Sequence, residues 1–337
     1  MHGPNSTDGP EATGEDEFVL VERLRRRFAT GSGILAPGDL GIGDDAAAVT
    51  PARPGRMVLA TDLVVEGVHV DLAVSTPADV GWKALMVTVS DLAAMGAQAD
   101  YVLLSVAAPP GFPVAGLADG VAEAADDCGC AVVGGDLSGA PVVVVSVAAV
   151  GSVPDDGAPL LRRDGARPGD QLFVTGPLGG SAAGLRRLVA GRADADARPM
   201  GDAPTDDRAA ESVRAHRRPV ARLAEGDTAR RVGAHAAIDV SDGLVADVVH
   251  LAEASGVGIA LVVGDEAVAV GATRDEALTG GEDYELVLAT SDADALLVAF
   301  ATAGLRPPIP IGSCTARVGT RTLDGGDLPL GGWRHSF

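Results

Sequence analysis

GIGDDAAAVTPARPGRMVLATDLVVEGVHVD, residues 41–71, places acids where an ordinary core segment would carry none. Met57 to Val65 reads as a buried strand, yet Asp62 lies inside it, and Asp44 and Asp45 follow a Gly-Ile-Gly turn. An ionised carboxylate buried without a partner is costly, so such a group is normally neutralised, paired with a base or bound to a metal. Between Gly38 and Leu104 the acids are Asp39, Asp44, Asp45, Asp62, Glu66, Asp71, Asp79, Asp91 and Asp100, against only Arg53, Arg56 and Lys83. That excess points to divalent cations as the missing positive charge.

The totals frame this segment. A chain of 337 residues accommodates two domains, and 47% hydrophobic with 22% charged residues is ordinary for a soluble globular protein. Aromatics are scarce at 3%, which suits α/β layers packed from small and branched side chains. The net charge of −21 argues against nucleic acid as a partner and leaves metal ions to handle any anionic substrate. Lys83 is the only lysine. Cys128, Cys130 and Cys314 are too few and too oddly spaced for a disulfide framework or a four-ligand zinc site, so reduced thiols in a cytoplasmic protein are expected. No apolar run has membrane-spanning length, and residues 1–16, acidic and polar where a secretory signal would be basic then apolar, are expected to be disordered.

Outward from the acidic stretch, the periodicity predicts a helix over 17–30, a second from the Thr76-Pro77 cap to Met95, and strands over 99–107 and 142–150 around a helix at 114–128. Asp91 falls in the last turn of the second helix, where it opposes the helix dipole; a solvated acid and a cation ligand fit that position equally. A short strand, 131–133, ends at Gly134-Gly135-Asp136, which serves either a close approach to a ligand or a plain turn. Residues 151–160 make a domain boundary, dividing the chain into 17–152 and 153–337. In the second half a strand at 171–175 passes through glycines into a helix near Ser181, a turn that can hold phosphate or simply let helix pack on strand. Residues 190–208 read as a mobile surface loop, and Pro219 as a kink or start within a helix that holds Arg217 and Arg218 near its middle. AIDVSDGLVAD, 237–247, delivers Asp239, Ser241 and Asp242 to a helix start, where one of them would suffice as a cap. GGEDYEL, 280–286, gathers acids again before a strand. Trp333 in the tail suits packing or ring stacking.

With GIGDDAAAV, TDLVVEGVHVD, WKALMVTVSDLAAMGAQ, GGDLSGAP, RDGARPGDQLFVTG, AIDVSDGL and GGEDYEL in this order, residues 17–337 closely resemble the thiamine-monophosphate kinases. That family is grouped with aminoimidazole ribonucleotide synthetase, selenophosphate synthetase and a hydrogenase maturation protein, ATP users without a P-loop. The resemblance implies an α/β (α+β) fold of two domains, a homodimer built through the N-terminal sheets, and direct transfer of the γ-phosphoryl of ATP to thiamine monophosphate, the last step in making thiamine diphosphate. It further implies Mg²⁺ on Asp45, Thr61, Asp62, Asp91, Asp136, Asp239 and Asp242, with Asp44 behind them. ATP contacts would fall to Gly135, Asp136, Arg163 and Ser241, and contacts to the thiamine phosphate to His69, Glu282 and Trp333. Ala60 stands where relatives can carry a hydroxyl. A related enzyme with a different acceptor, or a metal-binding assembly protein without turnover, are the alternatives. Against the first, read as a selenophosphate synthetase with its reactive cysteine near the N-terminus, the first cysteine here is Cys128, well inside the chain, and against the second all the acids are present.

Overall fold

A computed structural model describes residues 17–29, 35, 36, 39–42, 46–197 and 207–333; the expected disorder of 1–16, together with Asp44 and Asp45, lies outside the described residues. Two sheets organise the chain. The first has the order β1 (Gly55–Val65), β4 (Val144–Pro154), β2 (Gln98–Ala108), β3 (Ala131–Gly139), antiparallel except for β2 and β3, which run parallel around the crossover helix α3 (Val114–Cys128). Helix α2 (Pro77–Ala94) packs beside α3 on the inner face, and α1 (Glu17–Phe28) packs against α3 and β3. The helices approach closely because a Cβ on Gly81 would lie 2.0 Å from the Leu117 carbonyl oxygen and one on Gly120 1.8 Å from that of Ala78.

Helix α2 starts where the sequence predicts. Thr76 accepts the Asp79 N–H, and Asp79 in return accepts that of Thr76 in a capping box. The helix is apolar nearly all round because it is sandwiched: one side rests on the first sheet, the other touches the second domain.

The second sheet has seven strands in the order β11 (Gly326–Asp327), β10 (Arg321–Leu323), β7 (Gly258–Leu261), β9 (Ile309–Thr315), β5 (Gln171–Val174), β8 (Leu286–Thr290), β6 (Ala236–Asp239). Helices α7 (Leu244–Ser255) and α8 (Arg274–Thr279) share the core on one side, while α6 (Leu223–Arg231) and α9 (Ala293–Thr302) share the other. Helices α4 (Gly180–Ala197) and α5 (Asp207–Arg217) pack on each other. No described helix is long and apolar enough to cross a membrane.

Four readings of the sequence change. Strand β1 is not buried on both faces: Met57, Leu59 and Leu63 stand 55–68% exposed while Val64 is buried. Gly134-Gly135-Asp136 is no turn but lies inside β3, and Gly135 is required because a Cβ there would meet the Leu104 carbonyl oxygen on β2 at 1.7 Å. The segment read as a loop from 190 continues α4 to Ala197, as its alanines and arginines favour. Around Pro219 there is neither one kinked helix nor a helix start, because α5 ends at Arg217 and α6 begins at Leu223.

Candidate active site

Between the two domains lies a cleft of about 340 Å³. The first domain supplies Asp62 from β1, His69 from the turn that follows it, and Lys83, Val87 and Asp91 from one face of α2. The second supplies Asp239 at the end of β6, Ser241 and Asp242 from the turn into α7, Glu282 from the loop before β8, and Trp333 from the tail. Seven of the residues singled out in the sequence (Asp62, Asp91, Asp239, Ser241, Asp242, His69 and Glu282) thus meet in one space, with Trp333 at its wall.

The acids at one end are short of countercharge. Burial pushes Asp91 up to about 6, with Asp62 beside it adding to the shift and Arg163 opposing it. Burial and then Asp91 push Asp239 up to about 6, against a hydroxyl hydrogen bond from Ser90 at 2.8 Å and the charge of Arg163. Asp62 is raised in the same way, by burial and by Asp239. Among the described residues no three His, Cys, Asp or Glu side chains close into a ready-made ion cage. The donors are nevertheless hard carboxylate oxygens spread along an open wall, which fits Mg²⁺, an ion that is commonly held by one or two carboxylates together with water and substrate phosphates.

The turn holding Ser241 and Asp242 is fixed by a residue the sequence reading passed over. One carboxylate oxygen of Asp247, in the first turn of α7, accepts the N–H groups of Ser241, Asp242 and Gly243, each at 3.1 Å. Neither Ser241 nor Asp242 caps the helix, so both side chains are left to face the cleft. The glycine-rich turn before α4 is likewise spoken for: Asp283 accepts the N–H groups of Gly179 at 2.6 Å and Ser181 at 3.2 Å, where a phosphate would otherwise sit. A Cβ on Gly184 would approach the Ser212 carbonyl oxygen to 2.1 Å, so this glycine serves helix packing.

At the other end of the cleft the charges are matched. Lys83, buried, lies 2.6 Å from Glu282 and donates to the His69 carbonyl oxygen at 3.2 Å. His69 accepts the Val65 N–H through Nδ1 at 3.1 Å, which leaves Nε2 as the protonated nitrogen. His216 stands 3.6 Å from Glu282 and is pushed down to about 4 by burial and by Lys83, so it is neutral near pH 7. Glu282 and Tyr284 both hold positive φ, 66° and 51°, a conformation costing roughly 1–3 kcal/mol each that persists only where the surroundings enforce it. Tyr284 does so by inserting into the core of the first domain.

Not every predicted position joins the cleft. Thr61 alternates with Asp62 and faces the opposite side of the sheet, where its hydroxyl donates to the Val147 carbonyl oxygen at 3.0 Å, so the two side chains cannot share an ion within one chain. Asp136 is three strands away from β1, roughly 14 Å at ~4.8 Å per strand. With Gly135 it borders a separate apolar cavity of about 200 Å³ under α1, apart from Arg163 and Ser241. Arg163 lies beyond Asp91, on a second hollow that Asp91 also lines. Ala60 lines that hollow as well.

Two sheet-and-helix domains with a carboxylate cleft between them define an AIR synthase related protein, and the models of that family's N-terminal and C-terminal domains match residues 43–153 and 167–324. Within it the chain is 40% identical over 329 residues to thiamine-monophosphate kinase of Mycobacterium tuberculosis strain H37Rv, covering 95% of this chain and 89% of that one. The crystal structure of thiamine-monophosphate kinase from Stenotrophomonas maltophilia K279a superimposes with a TM-score of 0.78 at 34% identity, over 92% of this chain and 97% of the other. A structure of AaThiL complexed with AMPPCP and TMP does so with a TM-score of 0.70 at 30% identity, over 95% and 97%. The chain belongs to the thiamine-monophosphate kinase family.

Proposed function

We propose that this protein transfers the γ-phosphoryl group of ATP to the phosphate of thiamine monophosphate, giving thiamine diphosphate and ADP. The observation that carries the reading is the meeting, in one cleft, of an acid end short of positive charge and a ring end with matched charges and an aromatic wall. The bond between the γ-phosphorus and the β,γ-bridging oxygen breaks, and a bond forms from an oxygen of the acceptor phosphate. That oxygen needs no general base, since the second pKa of a phosphate monoester is near 6 and it is already anionic at neutral pH. What the protein must supply is alignment and positive charge.

Asp62, Asp91, Asp239 and Asp242 are the residues we assign to Mg²⁺, with Asp45 of the 41–45 motif as a further ligand. Mg²⁺ held there supplies the charge that lets two phosphates approach each other. We assign Arg163, close enough to Asp91 and Asp239 to act on both, and Ser241, on the cleft wall, to the triphosphate. His69, Glu282 and Trp333 are assigned to the thiamine end, with the indole suited to stack on a cationic ring.

The outer face of the first sheet carries Met57, Leu59, Leu63 and Leu103, each more than 40% exposed. We assign that face to a second copy of the chain. Thr61 shares it, as does Asp136 by its register opposite Ser105, so these two and Gly135 would act on a nucleotide shared between two copies. Light scattering that returns the mass of one chain would remove this assignment. The free cysteines Cys128, Cys130 and Cys314 support a cytoplasmic location. The reaction itself is tested by following thiamine diphosphate and ADP from ATP, Mg²⁺ and thiamine monophosphate: one-to-one products are expected, and ATP binding without thiamine diphosphate would reject this acceptor.

A further inference from the structure

The one lysine in the chain is spent in an unusual place. Lys83 is 3% exposed on a helix that otherwise buries apolar residues, and its ammonium sits against Glu282 from the other domain. A buried ion pair of this kind is weak evidence for stability, because desolvation offsets most of the attraction and an apolar residue would pack at least as well. What the pair does fix is geometry. Glu282 is held in a left-handed backbone conformation with its N–H on the Ser241 carbonyl oxygen at 2.8 Å. One carboxylate oxygen is engaged by Lys83, and the other lies beyond hydrogen-bond range of His216, at 3.6 Å. Both partners line the cleft, but Lys83 is 3% exposed with its ammonium held by Glu282 and the His69 carbonyl oxygen, whereas Glu282 is 27% exposed.

Lys83 also shares a helix face with Val87 and Asp91, all three on the cleft wall. Eight residues at 1.5 Å each separate its backbone position from that of Asp91 by about 12 Å along α2. One helix therefore fixes the distance between the acid end, which handles phosphate, and the carboxylate oxygen offered at the other end.

We propose that Lys83 is a positioning residue for acceptor selection: it holds Glu282 so that the free carboxylate oxygen receives an N–H donor on the acceptor's distal ring, the amino group of the pyrimidine in thiamine monophosphate. This rests on the acceptor assigned above. Lys83 itself does not touch the acceptor, and its effect passes through Glu282.

The test is steady-state kinetics of Lys83→Met, Glu282→Gln and the double variant, with thiamine monophosphate and with the thiazole monophosphate fragment that lacks the pyrimidine, used as acceptor or as competitive inhibitor. A charge-assisted hydrogen bond lost from the acceptor predicts a KM for thiamine monophosphate about 10- to 100-fold higher in Lys83→Met. The kcat should stay within about 3-fold, the KM for ATP should hold, and the fragment should be affected less than about 2-fold. On the Glu282→Gln background Lys83→Met should add less than about 2-fold. Equal losses with both acceptors, a fall confined to kcat, or additive effects in the double variant would overturn the proposal. Should Lys83→Met not fold, Lys83→Arg, which keeps the charge, must retain discrimination between the two acceptors, and its loss would count against the proposal equally. Failure of the unaltered protein to make thiamine diphosphate sinks the underlying reading instead, and is seen without any variant.

Discussion

The two ends of the interdomain cleft solve the burial of charge in opposite ways. At the acid end burial raises the pKa of Asp62, Asp91 and Asp239 and the three add to one another's shift, opposed by Arg163, the Ser90 hydroxyl and a backbone N–H. At the ring end Glu282 has Lys83 within 2.6 Å, and the adjacent His216 is kept neutral. Charge that is left unbalanced in a folded protein marks a place completed from outside, whereas charge balanced internally marks a surface already shaped for its ligand. On the function proposed above, the cleft is half preformed and half completed by cations.

Breaking the acid end should produce the largest effect. Asp62→Asn removes a carboxylate from the ion-holding wall, and a loss of turnover of about 100- to 1,000-fold is expected, in line with removing one strong electrostatic contact from a transition state. Stability should move the other way. A carboxylate whose pKa is higher in the fold than in the unfolded chain opposes folding once it is charged, so the metal-free variant should melt at the same temperature as the parent or higher. The stabilisation that Mg²⁺ gives the parent should shrink. A variant that loses activity and melts earlier without metal would instead make Asp62 a structural acid.

The ring end is sharpened by pH. His216 has a folded pKa of about 4 against 6.5 for the free side chain, so the unfolded chain binds its proton first. The stability that comes from keeping it neutral is complete above pH 6.5, falls as the pH drops, and is gone near pH 4. At 1.36 kcal/mol per unit this amounts to at most about 3 kcal/mol. Urea midpoints measured across that range should fall in the parent more steeply than in His216→Gln. Parallel slopes would mean that His216 is not held neutral beside Lys83.

The two ends also differ in how far they could be read from sequence. Asp62 stood out because an acid in an apolar strand is costly wherever the strand folds, and Asp239 and Asp242 because a single helix start has no use for three polar side chains. Those are local contradictions, visible without a fold. The ring end offers none. Lys83 and Glu282 look like ordinary surface residues of their own segments, and only the packing of one domain on the other brings them together. Asp247 was legible in principle, as an acid in the first turn of a helix whose start carries no side-chain cap, but its three N–H partners depend on how the 241–243 turn curls back. Thr61 and Asp136 fall outside the cleft of one chain for a related reason: motif spacing says which residues belong together but not which face of a strand they take or how many strands intervene.

Trp333 gives the smallest effect and the finest distinction between the ends. Its backbone N–H donates to the Asp242 carbonyl oxygen at 2.9 Å, a bond that any residue at this position can make, so Trp333→Ala should leave the ion-holding turn anchored. The indole, 54% exposed at the cleft wall, is lost. A cation stacked on an exposed ring is worth ~0.5–1 kcal/mol, so the KM for thiamine monophosphate should rise by roughly 2- to 5-fold with kcat, the response to Mg²⁺ and the melting temperature all unchanged. A fall in melting temperature without a change in KM would reassign the indole to packing. A weakened Mg²⁺ response would mean that the two ends are coupled through the tail, because Asp242 is the one acid in the cleft that the tail touches through a described backbone hydrogen bond.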